Sequence, residues 1–326
     1  MISPSEESQD RLEGVRQVAA GWLERGLRFF LTGRRGKVLS AFFLLITLGI
    51  VTSILVGNWD LLKDYRWQLR PHWLIYTVIF FTIDLLLAGW AWHLLAGRLA
   101  NYSNFRRSMK ITWYANLARR MPGPVWYIAS RAVLYEEEGI SKTTTSLLSA
   151  LEIAFFLVSG VVTTLLTLPF WVLPGALAGR LQQMWFLLPL LPLSALMVHP
   201  RILEKVWQRV SKQEPAQRLR WRDTVAWLAL YVLVWTVGAL VLYTLINFFQ
   251  PVPPGQLIAV VGMWTLSGSI SLAGAITIHS IGLREISLAL LLTQFVPAPV
   301  GVVIVIMVRL VWLIGELSSA LVSLKL

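Results

Sequence analysis

Apolar runs of membrane-spanning length divide this sequence. They cover residues 38–57, 73–97, 143–168, 184–198, 224–249 and 299–324. A helix needs roughly 20 apolar residues to cross a bilayer core. Each run is therefore read as a span, the fourth being short and interrupted by Pro189 and Pro192. Two further segments do not fit a simple span. Residues 104–139 are too polar, with Arg106, Arg107, Lys110, Arg119, Arg120 and Arg131, yet they are rich in Trp and Tyr. Met121-Pro-Gly-Pro124 splits them into two helical halves, because proline lacks an N–H and glycine relaxes the backbone. Residues 256–296 are apolar on both sides of a break at Gly282. Both segments are predicted to be re-entrant or broken helical hairpins. The short alternating strands of a membrane β-barrel are not seen. The expected fold is an all-α polytopic membrane protein of about six full spans plus two such hairpins.

Ahead of the first run, Leu12, Val15, Val18, Trp22 and Phe29 recur at helical spacing, with Arg11, Arg16, Arg25 and Arg28 between them. That pattern predicts an amphipathic helix lying on an anionic leaflet within residues 1–37. Residues 38–326 are then one membrane domain. In the second hairpin, Gly262, Gly268 and Gly274 are spaced by six, which predicts close helix packing there.

Composition agrees with this pattern. The chain of 326 residues is 56% hydrophobic and 14% charged, with a mean hydropathy of +0.65, against about 25% charged residues in soluble domains. It has no cysteine, so thiol and disulfide chemistry are excluded. The net charge of +12 points to a basic cytoplasmic side and anionic lipid rather than to nucleic acid. Residues 1–37, 98–142 and 199–222 hold seven, eight and seven Lys or Arg, whereas 58–72 and 169–183 hold three and one. The basic set, including the linker 199–223, is expected in the cytoplasm with both termini, in the cell (inner) membrane. No cleavable signal peptide is visible, because the first long apolar run begins too far in.

This assignment makes the chain repeat itself upside down. Span, hairpin and span at about 73–168 run in the opposite sense to span, hairpin and span at about 224–324. Broken segments at corresponding places in two inverted halves point to a central transport site. Charge marks the same places. Between residues 252 and 324 the only ionisable side chains are His279, Arg284, Glu285, Arg309 and Glu316. Each charge at a bilayer centre costs roughly 2.5–3.5 kcal/mol unless it is paired or hydrated. Arg131 follows the first break and Arg284 the second. Glu152 then lies 21 residues beyond Arg131, and Arg309 lies 25 beyond Arg284.

Asn116-Leu-Ala-Arg-Arg-Met-Pro-Gly123 followed by Arg131 and Glu152, and Gly282-Leu-Arg-Glu285 followed by Arg309, resemble the two half-patterns of the lysylphosphatidylglycerol synthase transmembrane, flippase-like family. The resemblance covers roughly residues 38–324. It departs at Pro124-Val-Trp-Tyr127, where a further Gly is usual, and at His279-Ser-Ile-Gly282, where Pro-Gly-Gly is usual. What it implies is translocation of a lipid headgroup between leaflets. The chain ends at Leu326, so no fused transferase domain and no lipid synthesis are expected.

A phosphate headgroup halfway across a membrane needs cationic donors, and arginine grips phosphate bidentately while staying charged. The candidate contacts are therefore Arg131, Arg284 and Arg309, with Glu152 and Glu285 balancing them or meeting a headgroup amine. Secondary candidates are Arg119 and Arg120 at the cavity mouth, Asp84 as a coupling carboxylate, His279 as a titrating group, and Glu316, which is seven residues past Arg309 and placed to pair with it. Trp126 and Tyr127 are read as packing. No nucleotide, zinc or nucleophile motif occurs, and Glu136-Glu-Glu138 lacks metal-binding partners. No catalytic residue, cofactor or metal is expected. The expected function is movement of a phospholipid or polyprenyl-linked headgroup through an Arg/Glu-lined cavity. The other reading is a non-transporting anchor or partner of a lipid-modifying glycosyltransferase or acyltransferase.

Overall fold

The computed structural model describes residues 49, 52–53, 56–57, 59–118, 125–171, 196, 198–211, 215–275 and 283–324. The chain divides into two units, Met1–Ile54 and Leu55–Leu326. Only the second is described at length. Among its described residues lie ten α-helices and no strand. They are α1 (Trp59–Asp64), α2 (His72–Ala100), α3 (Phe105–Ala118), α4 (Val125–Glu136), α5 (Lys142–Thr167), α6 (Pro200–Ser211), α7 (Trp221–Phe249), α8 (Leu257–Ala275), α9 (Leu283–Leu292) and α10 (Ala298–Leu324).

The apolar runs at 73–97, 143–168, 224–249 and 299–324 become α2, α5, α7 and α10. Each is long and apolar enough to cross a membrane, and so is α8 with the turn before it, Pro254–Gly274. The runs at 38–57 and 184–198, the amphipathic segment 1–37 and both hairpin breaks lie mostly or wholly outside the described residues.

The helix ends follow local chemistry. Asn101 closes α2 in the left-handed region at φ 55°, its N–H returning to the Ala96 carbonyl. Asparagine is among the few residues that tolerate this conformation. Ser141 caps α5 by accepting the Thr144 N–H at 3.1 Å. Asp223 opens α7 by accepting the Arg220 N–H at 2.9 Å. Both caps satisfy orphan donors of a first turn.

Helix directions can be read from the cross-links. Thr77 Oγ1 bonds Thr244 Oγ1 at 2.9 Å, and Arg98 meets Asp223 at 3.0 Å; α2 and α7 are thus antiparallel. Thr164 Oγ1 bonds Thr265 Oγ1 at 2.9 Å, with Gly160 beside Ser269, so α5 and α8 are antiparallel too. The α5–α7 contacts rise together in number, with Phe155 on Trp227 and Phe156 on Trp235. Likewise Trp67 and Leu62 share a cleft with Val303, and Phe81 further on meets Trp312. Hence α2 and α10 point one way, and α5 and α7 the other.

The packing repeats as well. α2 packs on α3, α3 on α4, α4 on α5 and α2 on α5; in the same order α7 packs on α8, α8 on α9, α9 on α10 and α7 on α10. Each half also lends a hairpin arm to the other: α3 packs on α10 and α8 on α5. The hairpin arms are unequal. At 1.5 Å per residue, α3, α4 and α9 measure only about 21, 18 and 15 Å, while α8 measures about 28 Å. The described parts of three of the four arms are thus shorter than a bilayer core of about 30 Å.

The first hairpin opens at the end of α2, where Arg107 holds Glu138 at 2.6 Å and Glu137 at 3.1 Å. Tyr102 donates to Glu138 at 2.9 Å. Burial first, and then the Glu138 carboxylate, push its phenol well above the ordinary range. The acidic run 136–138 thus ties a hairpin base together. The second hairpin opens at the opposite end, where Gln294 Nε2 donates to Met263 Sδ at 3.3 Å and Gln250 Nε2 to the Phe295 carbonyl at 3.3 Å.

Glycine permits the tightest contacts. The Trp235 ring lies where a Cβ on Gly268 would stand, and Trp171 and Thr167 occupy that place at Gly262. A Gly268→Leu variant is expected to lose about 1–3 kcal/mol from overpacking, read as a lower melting temperature in detergent. Gly255→Ala, with nothing within 4 Å, is expected to melt like the parent protein.

Candidate functional site

On α4, Tyr127, Arg131 and Tyr135 recur at four-residue spacing and share one face. All three are buried, Arg131 completely. Arg131 Nη1 donates to Glu152 Oε2 on α5 at 2.5 Å, and the Tyr127 hydroxyl donates to the same oxygen at 2.9 Å. The guanidinium carbon lies 3.7 Å from the Trp92 ring centre and 4.2 Å from that of Tyr127. Two rings this close to one carbon must cover its opposite faces, so the cation is held between aromatic plates as well as by its carboxylate. Trp92 is fixed in turn: its Nε1 donates to the Tyr135 hydroxyl at 2.7 Å, and that oxygen lies 2.8 Å from Ser108 Oγ.

A guanidinium has five N–H donors, and the buried Nε and Nη2 of Arg131 bond nothing among the described residues. These are the two nitrogens of one bidentate edge, the edge that matches a phosphate or carboxylate.

The second half carries the corresponding bridge with its charges exchanged. Here the hairpin arm α9 supplies the carboxylate and the span α10 the arginine: Arg309 Nη1 donates to Glu285 Oε1 at 3.1 Å. Arg284, one residue earlier, instead lies over the Trp264 ring at 4.0 Å. Trp264 packs on Trp312 at 4.9 Å between ring centres. Glu152 lies ten residues into α5 and Arg309 eleven into α10, depths of about 15 and 16 Å at 1.5 Å per residue. Both bridges thus sit near mid-span.

The two bridges differ in access. The Arg131 and Glu152 side chains are 0% and 3% exposed, whereas those of Arg309 and Glu285 are 42% and 35% exposed. The expectation that all five groups line one cavity therefore meets two separate bridges, one enclosed by aromatic rings and one open. The pairing of Arg309 with Glu316 is also not the arrangement found, since Glu285 occupies that arginine; Glu316 is buried on α10. Asp84 is half-buried midway along α2. Arg119, Arg120 and His279 lie outside the described residues. Among the described residues, no group of three or more His, Asp or Glu side chains could hold a metal ion.

Tyr127, read from sequence as packing, is a ligand of the Glu152 carboxylate, and its four-residue spacing from Arg131 was the available signal. Trp92 and Trp264 had no such signal, since each is one Trp among 16.

Removing one partner of a buried pair leaves an uncompensated charge, at a cost of about 3–5 kcal/mol. Glu152→Gln is therefore expected to lower thermal stability in detergent much more than Glu285→Gln, whose arginine is 42% exposed. The double replacement Arg131→Met/Glu152→Leu is expected to recover most of the loss.

No curated protein matches the chain. A family model does: that of the lysylphosphatidylglycerol synthase TM region matches residues 39–315. This span holds both bridges, both hairpins and all the crossing helices except the last turns of α10. The chain therefore belongs to the lysylphosphatidylglycerol synthase transmembrane-region family of multi-pass membrane proteins.

Proposed function

We propose that the chain is a lipid flippase-like transporter built of two inverted repeats, about 73–168 and 224–324. In this reading it passes the headgroup of a phospholipid or polyprenyl-linked lipid between leaflets while the tails stay in the bilayer. The observation that carries it is the pair of mid-depth bridges between hairpin arm and span, one enclosed and one open, in halves that run antiparallel. A charge exposed to hydrocarbon at this depth would cost roughly 2.5–3.5 kcal/mol. The exposure of Arg309 and Glu285 therefore favours a wet opening beside α9 and α10. A phosphate entering it meets Arg309 and Arg284, and a headgroup amine meets Glu285.

In the other half, the unused edge of Arg131 is the receiving fork once α4 and α5 part. Each bridge is then an internal stand-in for the ligand. Glu152 and Glu285 occupy the arginines until a phosphate replaces them, and the exchange keeps every charge paired throughout. The basic end of the helices, with Arg98, Arg107, Arg201 and Arg220, faces the cytoplasm under the positive-inside rule, in the cell membrane.

The test is transfer of a fluorescent phospholipid in proteoliposomes of the purified chain. Glu285→Gln and Arg309→Gln are each expected to slow transfer by about tenfold, equivalent to 1.4 kcal/mol. The exchanged pair Glu285→Arg/Arg309→Glu is expected to recover part of it. Transfer at the parent rate in well-folded Glu285→Gln and Arg309→Gln would refute the assignment.

A further inference from the structure

The basic linker also builds a site of its own. Helix α6 has three faces. Leu203 and Trp207 are buried against the bundle; Arg201, Lys205 and Arg209 form an exposed basic stripe; Ile202, Val206 and Val210, each about 40% exposed, form an apolar stripe beside it. At about 100° per residue, the apolar stripe lies between the buried face and the basic one. A helix with adjacent exposed basic and apolar edges suits the headgroup boundary of an anionic leaflet, apolar edge inward.

At the start of α6 there is a cleft of about 410 Å³ between His199, Pro200 and Arg201 on one side and Leu219, Arg220 and Trp221 on the other. Its walls are fixed from behind. Glu204 Oε1 accepts the Leu219 N–H at 2.6 Å, Ala216 N–H donates to the Leu99 carbonyl at 3.2 Å, and His199 packs edge-on to Trp221 at 4.7 Å between ring centres.

The nearby acids are already engaged: Glu204 by that backbone N–H, and Asp223 by Arg98 at 3.0 Å and the Arg220 N–H at 2.9 Å. The Arg201 and Arg220 side chains therefore face the cleft with no ion pair among the described residues. Trp221, 51% exposed, begins an outward lane on α7 that continues through Val225, 54% exposed, and Leu233, 46% exposed. At four-residue steps such a lane runs along the helix into the apolar zone.

We infer that this cleft is a binding site for the headgroup of an anionic phospholipid, its phosphate between Arg201 and Arg220 and an acyl chain laid along Trp221, Val225 and Leu233. Two guanidinium groups supply charge-assisted donors to the phosphate, Trp221 sits at the headgroup level that suits its ring, and the apolar lane takes the tail. The site lies at the basic end of the bundle, away from both mid-depth bridges, and stands whether or not the chain moves lipid.

The experiment titrates phosphatidylglycerol or phosphatidylcholine into the delipidated full chain and counts lipid adducts by native mass spectrometry. The parent chain is expected to take up phosphatidylglycerol in preference to phosphatidylcholine. Arg201→Gln/Arg220→Gln is expected to weaken that uptake by about tenfold, the worth of one charge-assisted contact at 1.4 kcal/mol. Lys205→Gln/Arg209→Gln removes the same charge further along α6 and is expected to change it less than about threefold. All four side chains are exposed, so both variants should keep the parent melting temperature. Equal losses in the two variants would reduce the effect to general surface charge and overturn the site, as would no loss in either. Displacement of the lipid by millimolar inorganic phosphate would overturn the commitment to a lipid rather than a free anion.

Discussion

A charge placed in the middle of a bilayer must bring its partner with it, and the architecture of this protein follows from that requirement. Arg131 and Arg309 lie near mid-span, and each is met by a carboxylate from the neighbouring element at 2.5 and 3.1 Å. In both cases the bridge joins the second arm of a hairpin to the span that follows it. The described parts of α3, α4 and α9 are shorter than the hydrophobic thickness of the membrane. Packing and these ionic contacts have to locate them. The glycines of α8 and α5 let Trp235 and Trp171 approach the backbone and fix the first arm of the second hairpin, which leaves the second arm as the more weakly held element.

The antiparallel halves give that contact its meaning. α2 and α7 are linked at both ends, by Thr77–Thr244 and by Arg98–Asp223, and form an axis on which the rest is arranged. Around it the helix contacts of one half recur in the other, but the charges do not. The arm carries the cation in the first half and the anion in the second. On the proposed reading, the reversal would make an anionic headgroup pull on opposite elements in the two halves: on the arm through Arg131, on the span through Arg309. The halves are equivalent in backbone and complementary in chemistry.

Much of this was legible in the sequence, and what was not has physical reasons. The four apolar runs that became α2, α5, α7 and α10 were plain, because the bilayer demands about 20 apolar residues and little else. The six-residue glycine spacing of α8 was readable for the same kind of reason: it imposes a backbone constraint. Arg131 with Glu152 could be paired from charge and spacing. For Arg309 the sequence offered both Glu285 and Glu316 as partners, and Glu285 is the one bonded to it. Arg284 seemed the counterpart of Arg131 because both are arginines following a break, yet Glu285 makes the bridge. Adjacent residues on a helix point about 100° apart, so one of the two had to face α10 and the other α8. Linear sequence does not say which. Nor could it assign Trp92 and Trp264 to the two cations, since a tryptophan in a membrane protein has many apolar places to be.

Access is the last property that spacing cannot carry, and it separates the two bridges most. Arg131 is clamped between the Trp92 and Tyr127 rings, so its carboxylate cannot be exchanged without moving at least one ring. Trp92 is itself held through Tyr135 to Ser108 on α3. Opening the first bridge therefore involves α2, α3, α4 and α5 together. Opening the second needs only a change at Glu285 and Arg309, because the bridge is already exposed. One half thus resists the exchange that the other permits. On the proposed transport reading, this asymmetry sets a closed side against a receiving one, and it is built from the same few residue types on both sides of the axis.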